Sequence, residues 1–179
     1  MKMLLKVSNR DYFRHSWGMF FYMFFCLSLP YILDSKDGDG TAELAIQLSL
    51  GFFLLMCVPA IILIIRYANV NNSLEITYRN ERLELSQEGN RRTIELSEID
   101  HIETKLPIPV YFNGFRFFAT DSLFYTVIYL ETEENFTVTT LLDNELLDTN
   151  AYLGDKFEIV RKLRPICWPP NHNLKFAVN

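Results

Sequence analysis

Apolar and polar positions along the chain change from long uncharged runs to alternation near residue 66. Residues 44–65 hold no charged side chain, and Gln47 and Ser49 are their only strongly polar ones. As an α-helix this run would be about 33 Å long, which is enough to cross a bilayer core of about 30 Å. Because a soluble helix would present a polar face, residues 44–65 are predicted to cross a membrane.

A second uncharged run covers residues 17–33 and is shorter. Its length suits a membrane span, a signal-peptide core or an interfacial helix. A cleaved signal ends in small residues, whereas this run ends in the bulky sequence LPYIL, which favours a span. Two spans joined by about ten residues predict a transmembrane hairpin over residues 17–66, with Gln47 and Ser49 as candidates for polar contacts between its helices.

The charges that flank the two runs predict the orientation of this hairpin. Residues 1–16 carry four basic side chains against one acidic side chain, and Arg66 follows the second run. The connector, residues 34–43, carries four acidic side chains against one lysine. Because cytoplasmic flanks of membrane helices are rich in Lys and Arg, both termini are expected in the cytoplasm, with the connector outside.

Beyond residue 66 the apolar residues recur with a period of two, which predicts short antiparallel strands. The residues from Ser97 to Asp100 form a capping-box pattern, which predicts a helical turn before the fourth strand. Asn113-Gly114 between apolar runs is typical of a hairpin. The predicted strands cover residues 73–78, 82–86, 93–96, 102–106, 123–130 and 136–142.

A helix is predicted after these strands, over residues 153–164. Leu153, Phe157 and Val160 would share one face of this helix, and Pro165 would end it. The predicted fold class is therefore a membrane α-helical hairpin plus a small α+β domain, whose antiparallel strands are closed by a C-terminal helix.

A short motif and the order of the elements point to a family. Ile94 to Ile102 read I-x-L-S-E-I-x-x-I, and Asp11-Tyr12 precede the first apolar run. With two spans, a meander of strands and an amphipathic helix, the chain resembles the bacterial PH-like membrane proteins of the YcxB type. This resemblance implies a bacterial inner-membrane location, with the lipid bilayer as one partner. The expected parts are a basic cytoplasmic segment over 1–16, the hairpin over 17–66, a cytoplasmic PH-like domain over 67–165 and an irregular tail over 166–179.

Residues able to carry chemistry are few and scattered. The sequence has no G-x-S-x-G, H-E-x-x-H, Walker or G-x-G-x-x-G motif, so we expect no catalytic residue, no cofactor and no enzymatic activity. Cys167 and His172 are two ligands short of a zinc site, and no metal is expected. Residues 70–179 hold 11 Lys and Arg against 17 Asp and Glu, which disfavours nucleic acid as a partner.

Aromatic side chains are concentrated in residues 107–118, which interrupt the strand pattern. They either pack against the core, or cover an open end of the domain, or form an apolar surface that touches the bilayer or a partner. The candidates for such a membrane or partner contact are Tyr111, Phe112, Phe115, Arg116, Phe117 and Phe118.

Three functions are compatible with these features. The leading hypothesis is a non-enzymatic, inner-membrane-anchored PH-like interaction module that binds a protein partner near the membrane. The first alternative is a membrane-bound immunity or regulatory protein against a toxin or membrane complex, because an acidic domain suits a basic partner. The second alternative is a lipid-sensing domain.

Overall fold

The structure is a computed structural model, and its described residues form two four-stranded sheets and several helices. Those residues are 2–7, 13, 16–17, 20–21, 23–28, 30–32, 41–72, 74–79, 81–115, 119–143, 146–154 and 156–172. The strands are β1 (Lys2–Lys6), β2 (Leu74–Arg79), β3 (Arg82–Gln87), β4 (Asn90–Glu95), β5 (Ile99–Leu106), β6 (Tyr125–Leu130), β7 (Asn135–Thr139) and β8 (Ile159–Leu163). The helices are α1 (Met23–Ile32), α2 (Thr41–Val70), α3 (Ile108–Tyr111) and α4 (Leu147–Leu153).

The first sheet, sheet A, has the antiparallel order β1-β2-β3-β4. Its β2, β3 and β4 confirm the first three predicted strands, and Glu88 and Gly89 take positive φ angles in the turn between β3 and β4. Strand β1 was not predicted. It pairs with β2 from Lys2↔Arg79 to Lys6↔Glu75, so sheet A includes residues from outside the expected domain range 67–165.

The second sheet, sheet B, has the order β7-β6-β5-β8. Strands β5, β6 and β7 are antiparallel and match the remaining predicted strands within a few residues. The predicted helical turn before β5 is confirmed as a 3-10 turn, Leu96–Glu98, although Glu95 rather than Ser97 begins its capping box.

The predicted C-terminal helix over residues 153–164 is wrong. Helix α4 ends at Leu153, and β8 then runs parallel to β5 from Ile102↔Ile159 to Leu106↔Leu163. The apolar spacing was misleading because Leu153 and Phe157 pack against the core from a helix end and a turn, while Val160 lies on an exposed edge strand. Pairing with β5 satisfies the backbone hydrogen-bonding groups of β8, and the local periodicity of the sequence cannot indicate this pairing.

The predicted Asn113-Gly114 hairpin is also wrong. Asn113 takes a positive φ of 54° just after α3, and the Gly114 amide donates to the Pro109 carbonyl at 2.7 Å. These residues therefore close the end of a short helix, since a left-handed residue serves a helix C-terminus as well as a hairpin.

Helix α2 is longer than predicted and continues without a break through Pro59 to Val70. Among the described residues it is the one helix long and apolar enough to cross a membrane, over Ile46–Val70. Helix α1 is apolar but shorter, and the rest of the predicted span 17–33 lies partly outside the described residues. Both helices belong to the connection between β1 and β2.

One hydrophobic core joins the two sheets to the end of α2. Along β5, β6 and β7 side chains alternate between two faces of sheet B. One face, with Ile102, Ile128 and Phe136, faces the inter-sheet core. The opposite face is covered by the end of α2 and by residues 165–172, which we call the clasp.

Candidate functional site

The junction between α2 and sheet B combines buried apolar side chains with hydrogen bonds between distant parts of the chain. On α2, Leu63, Tyr67 and Val70 are buried, whereas Leu55 is 69% exposed two turns earlier. The last two turns of the helix are thus part of the domain core, and the preceding turns project from it. This arrangement fixes the direction of α2 relative to both sheets.

Two polar side chains anchor the end of α2. The Tyr67 hydroxyl donates to the Cys167 carbonyl at 2.9 Å, and its ring packs edge-on against Tyr125 with centroids 6.5 Å apart. Asn71 Nδ2 donates to Thr139 Oγ1 on β7. Because these groups are buried, each hydrogen bond specifies the helix position more strongly than apolar packing alone.

The clasp runs from the end of β8 across sheet B to the end of α2. Cys167 is buried, and its Sγ donates to the Lys105 carbonyl at 3.5 Å. Burial raises the pKa of Cys167 to about 12, so this thiol is protonated and unreactive at neutral pH. Arg66 donates from Nε to the Pro169 carbonyl at 3.1 Å and lies 5.7 Å from the Trp168 ring centre.

His172 closes the clasp with one hydrogen bond on each ring nitrogen. The Thr137 amide donates to Nδ1 at 3.0 Å, and Nε2 lies 2.7 Å from the Val70 carbonyl. Only the neutral imidazole with its proton on Nε2 satisfies both partners. Burial lowers the pKa of His172 and therefore also favours this neutral form. The Val70 carbonyl acts in the opposite direction and raises that pKa, but burial outweighs it.

A charged cluster lies on the same face of sheet B. Glu103 pairs with Lys105 on its own strand and with Lys162 on β8. Burial alone would raise the pKa of Glu103, but hydrogen bonds from the two lysines outweigh it and lower that pKa. The carboxylate is therefore ionised and satisfied, which is the arrangement of a structural ion pair.

An apolar groove of about 600 Å³ separates the projecting part of α2 from the clasp. Leu55, Pro59 and Ile62 line one side, and Ile166 and Trp168 line the other. The groove floor includes Thr120, from the 3-10 turn that packs against α2. It is open along its length, and its lining side chains on both sides are largely exposed.

The aromatic candidates divide into described and undescribed residues. Tyr111, Phe112 and Phe115 are exposed, Phe112 by 68% and Phe115 by 85%, so these rings do not pack in the core. Tyr111 and Phe112 contact each other edge-on, with centroids 5.1 Å apart. Arg116, Phe117 and Phe118 lie outside the described residues, and membrane or partner contact stays a prediction for the whole set.

The two polar candidates of the predicted spans differ in environment. Gln47 is exposed. Ser49 is buried, and its hydroxyl has no hydrogen-bond partner among the described residues. On α1, the Ser28 hydroxyl donates to the Phe25 carbonyl of its own helix at 3.0 Å.

Sequence reasoning missed the residues that build the junction. Tyr67, Asn71 and His172 are separated by up to about a hundred positions from their partners, and no local motif connects them. The one available signal was the end of the uncharged run at Arg66, because residues beyond it no longer need to face lipid and can pack against the domain. Among the described residues, no three His, Cys, Asp or Glu side chains are grouped so that they would hold a metal ion.

Comparison with known proteins identifies the fold family. A family model for the PH domain matches residues 5–149, which begin in β1 and end in α4. This range is most of the chain, so the chain belongs to the PH domain family. No curated protein matches the chain, and no solved structure matches it. PH domains are generally non-catalytic modules that bind proteins or lipids, and two sheets that are antiparallel except for the β5–β8 pair fit that class.

Proposed function

We propose that this chain is a two-span protein of the bacterial inner membrane, similar to the YcxB type, whose cytoplasmic PH domain binds a protein partner near the bilayer without catalysing a reaction. The observation that carries the proposal is the pairing of β1 with β2. Residues 7–73, including both apolar helices, are an insertion between these two neighbouring strands.

This pairing restricts how the insertion can meet a membrane. Strands β1 and β2 are hydrogen-bonded neighbours, so both ends of the insertion lie on one side of any bilayer that α2 crosses. A chain that leaves and returns to the same side crosses an even number of times. The apolar run at residues 17–33, which includes α1, is the segment available for the second crossing.

Charge favours the cytoplasmic side for the domain. Residues 1–16, where the chain enters the insertion, carry four basic side chains against one acidic side chain, and Arg66 lies near the other end, whereas the 34–43 connector is acidic. This distribution follows the positive-inside rule for membrane helices. Both termini then lie in the cytoplasm, where the reducing environment suits the buried free thiol of Cys167.

The exposed aromatic residues are the proposed contact surface. Tyr111 ends α3, which contacts the 3-10 turn Ala119–Ser122, and the same turn contacts α2, so the surface begins close to the base of the membrane helix. Exposed aromatic rings of this kind are enriched at protein–protein interfaces. The same exposure supports lipid sensing as the second candidate function, since such rings also bind the bilayer surface.

The topology is tested by reporter fusions to the full chain. A reporter active only in the cytoplasm is expected to work when it is fused before Met1 and after Asn179. A periplasmic reporter is expected to work when it is inserted at Gly38. Signals from the two termini on opposite sides of the membrane would refute both the two-span topology and the β1–β2 pairing in the membrane.

The contact surface is tested by placing a photo-activated cross-linking amino acid at Phe115 of the full chain in native membranes. A protein adduct is expected for the proposed function, and a lipid adduct alone would favour lipid sensing instead. The control position is Arg91, which is exposed on β4 in sheet A. Equal adducts from both positions, or none from Phe115, would remove the aromatic surface as a binding site.

A further inference from the structure

We infer that the groove between α2 and the clasp binds one acyl chain of an anionic membrane phospholipid, whose phosphate is held by Arg66. The inference rests on the proposed membrane span of α2. It goes beyond the proposed function because it assigns a lipid site to the junction itself. The site is distinct from the aromatic surface proposed to bind a protein partner.

The order of side chains along α2 matches the order of groups in a phospholipid. Leu55, Pro59 and Ile62 line the apolar groove, and Arg66 follows Ile62 by about one helical turn, about 6 Å further toward the sheets. An acyl chain along this groove would place its phosphate beside a guanidinium group. No other cation belongs to α2.

Arg66 keeps donors available for a phosphate. Its Nε donates to the Pro169 carbonyl, and its Cζ lies 5.7 Å from the centre of the Trp168 ring, so its position is fixed by the clasp. Within the described residues, its two terminal nitrogens have no hydrogen-bond acceptor. Those nitrogens carry four N–H donors in the planar arrangement that binds phosphate oxygens in pairs.

The opposite wall of the groove also fits an interfacial lipid. Ile166 and Trp168 are 68% and 50% exposed, although they project from a clasp whose Cys167 is buried. Tryptophan is enriched at the level of the headgroups, where its ring is apolar on its faces and polar at its N–H. The groove is continuous with the exposed apolar side of α2, from which a lipid would enter sideways.

A volume of about 600 Å³ is within the range of ligand sites that bury most of their ligand. An acyl chain would enter the groove from a bilayer that is equally apolar, so its methylene groups are expected to add little net affinity. The preference among lipids is therefore expected to come from the contact between the headgroup and Arg66.

The test measures phospholipid retained by the full chain after extraction from bilayers of phosphatidylglycerol and phosphatidylcholine. The wild-type chain should retain about one phosphatidylglycerol per protein, and Ile62→Trp, which fills the groove, should reduce this at least tenfold. Ile61→Trp is the matched control, because Ile61 is exposed on α2 but points about 100° away from the groove. Ile166→Asp, at an exposed position, gives the same loss without disturbing the core.

The headgroup contact is tested separately. Arg66→Gln should remove the preference for phosphatidylglycerol over phosphatidylcholine, whereas Arg161→Gln, on the exposed β8, should keep it. Equal retention by Ile62→Trp and Ile61→Trp, or no retained lipid in the wild-type chain, would overturn the inference. Membrane flotation is measured on the same samples. A wild-type chain that floats but retains no lipid would refute only the lipid site in the groove. A chain that does not float would refute the proposed membrane anchor as well.

Discussion

His172 joins the end of α2 to β7, and its replacement by alanine tests how the clasp is held. The substitution leaves the Thr137 amide without its acceptor and the Val70 carbonyl without its donor. Each of these hydrogen bonds contributes about 0.5–1.5 kcal/mol net, so the closed clasp should lose about 2 kcal/mol. That loss corresponds to a rise of about 30-fold in the fraction of molecules with an open clasp.

Hydrogen exchange of the Thr137 amide reports how firmly the clasp is held in the full chain. The amide is expected to exchange at least about 30-fold faster in His172→Ala than in the wild-type chain, because the open clasp is more populated and the amide has lost its acceptor in the closed clasp as well. Amides of β3, which lies in sheet A, should keep their protection. Asn171→Ala is the control, since Asn171 is exposed in the same clasp.

Unchanged exchange at Thr137 in His172→Ala would refute the proposed role of the imidazole. It would mean that Cys167 and Trp168 hold the clasp closed by packing alone. A uniform increase across both sheets would also contradict the prediction, because it would show global destabilisation rather than local opening.

Three further outcomes follow from the same structure. Burial lowers the pKa of His172, so the clasp should be fully stable above pH 6.5, the ordinary pKa of histidine, and should lose stability as the pH falls below that value. Limited proteolysis of the clasp measures this, and a cleavage rate that does not depend on pH would contradict the prediction. Glu103→Gln leaves a buried lysine uncompensated and should cost about 3 kcal/mol in thermal unfolding, against almost nothing for the exposed Glu131→Gln. Phe136→Ala should cost about 3–5 kcal/mol by opening a cavity in denaturant unfolding, whereas Phe115→Ala should change stability by less than about 0.5 kcal/mol. Equal losses within either pair of variants would refute the corresponding burial argument.

The strands of the meander were predictable because their information is local. Leu74, Ile76 and Tyr78 alternate with polar residues, and a single buried face imposes that pattern on any strand at that position. The turn at Glu88-Gly89 was predictable from the sequence for the same reason, because a tight reversal between two strands needs residues that can adopt positive φ. The long apolar helix was predictable from length and composition alone.

The junction was not predictable because its information is distant. Strand β1 contains only five residues, and its partner β2 begins almost seventy positions later. Strand β8 forms because β5 has an open edge, and its own residues are mostly exposed. His172 follows two prolines in an irregular segment, so neither period nor motif marks it as the link between α2 and sheet B.

The insertion of the helices between β1 and β2 gives the domain an unusual order of assembly. At about 5–20 residues per second, roughly 4–14 s separate the synthesis of β1 from that of its partner. If the membrane topology is as proposed, β1 waits in the cytoplasm while both spans are inserted. A chain with only one span inserted would leave β1 on the far side of the bilayer and the edge of β2 open. Completion of sheet A would then report that membrane insertion has been correct, and an open edge on β2 would mark the failed chains for aggregation or proteolysis.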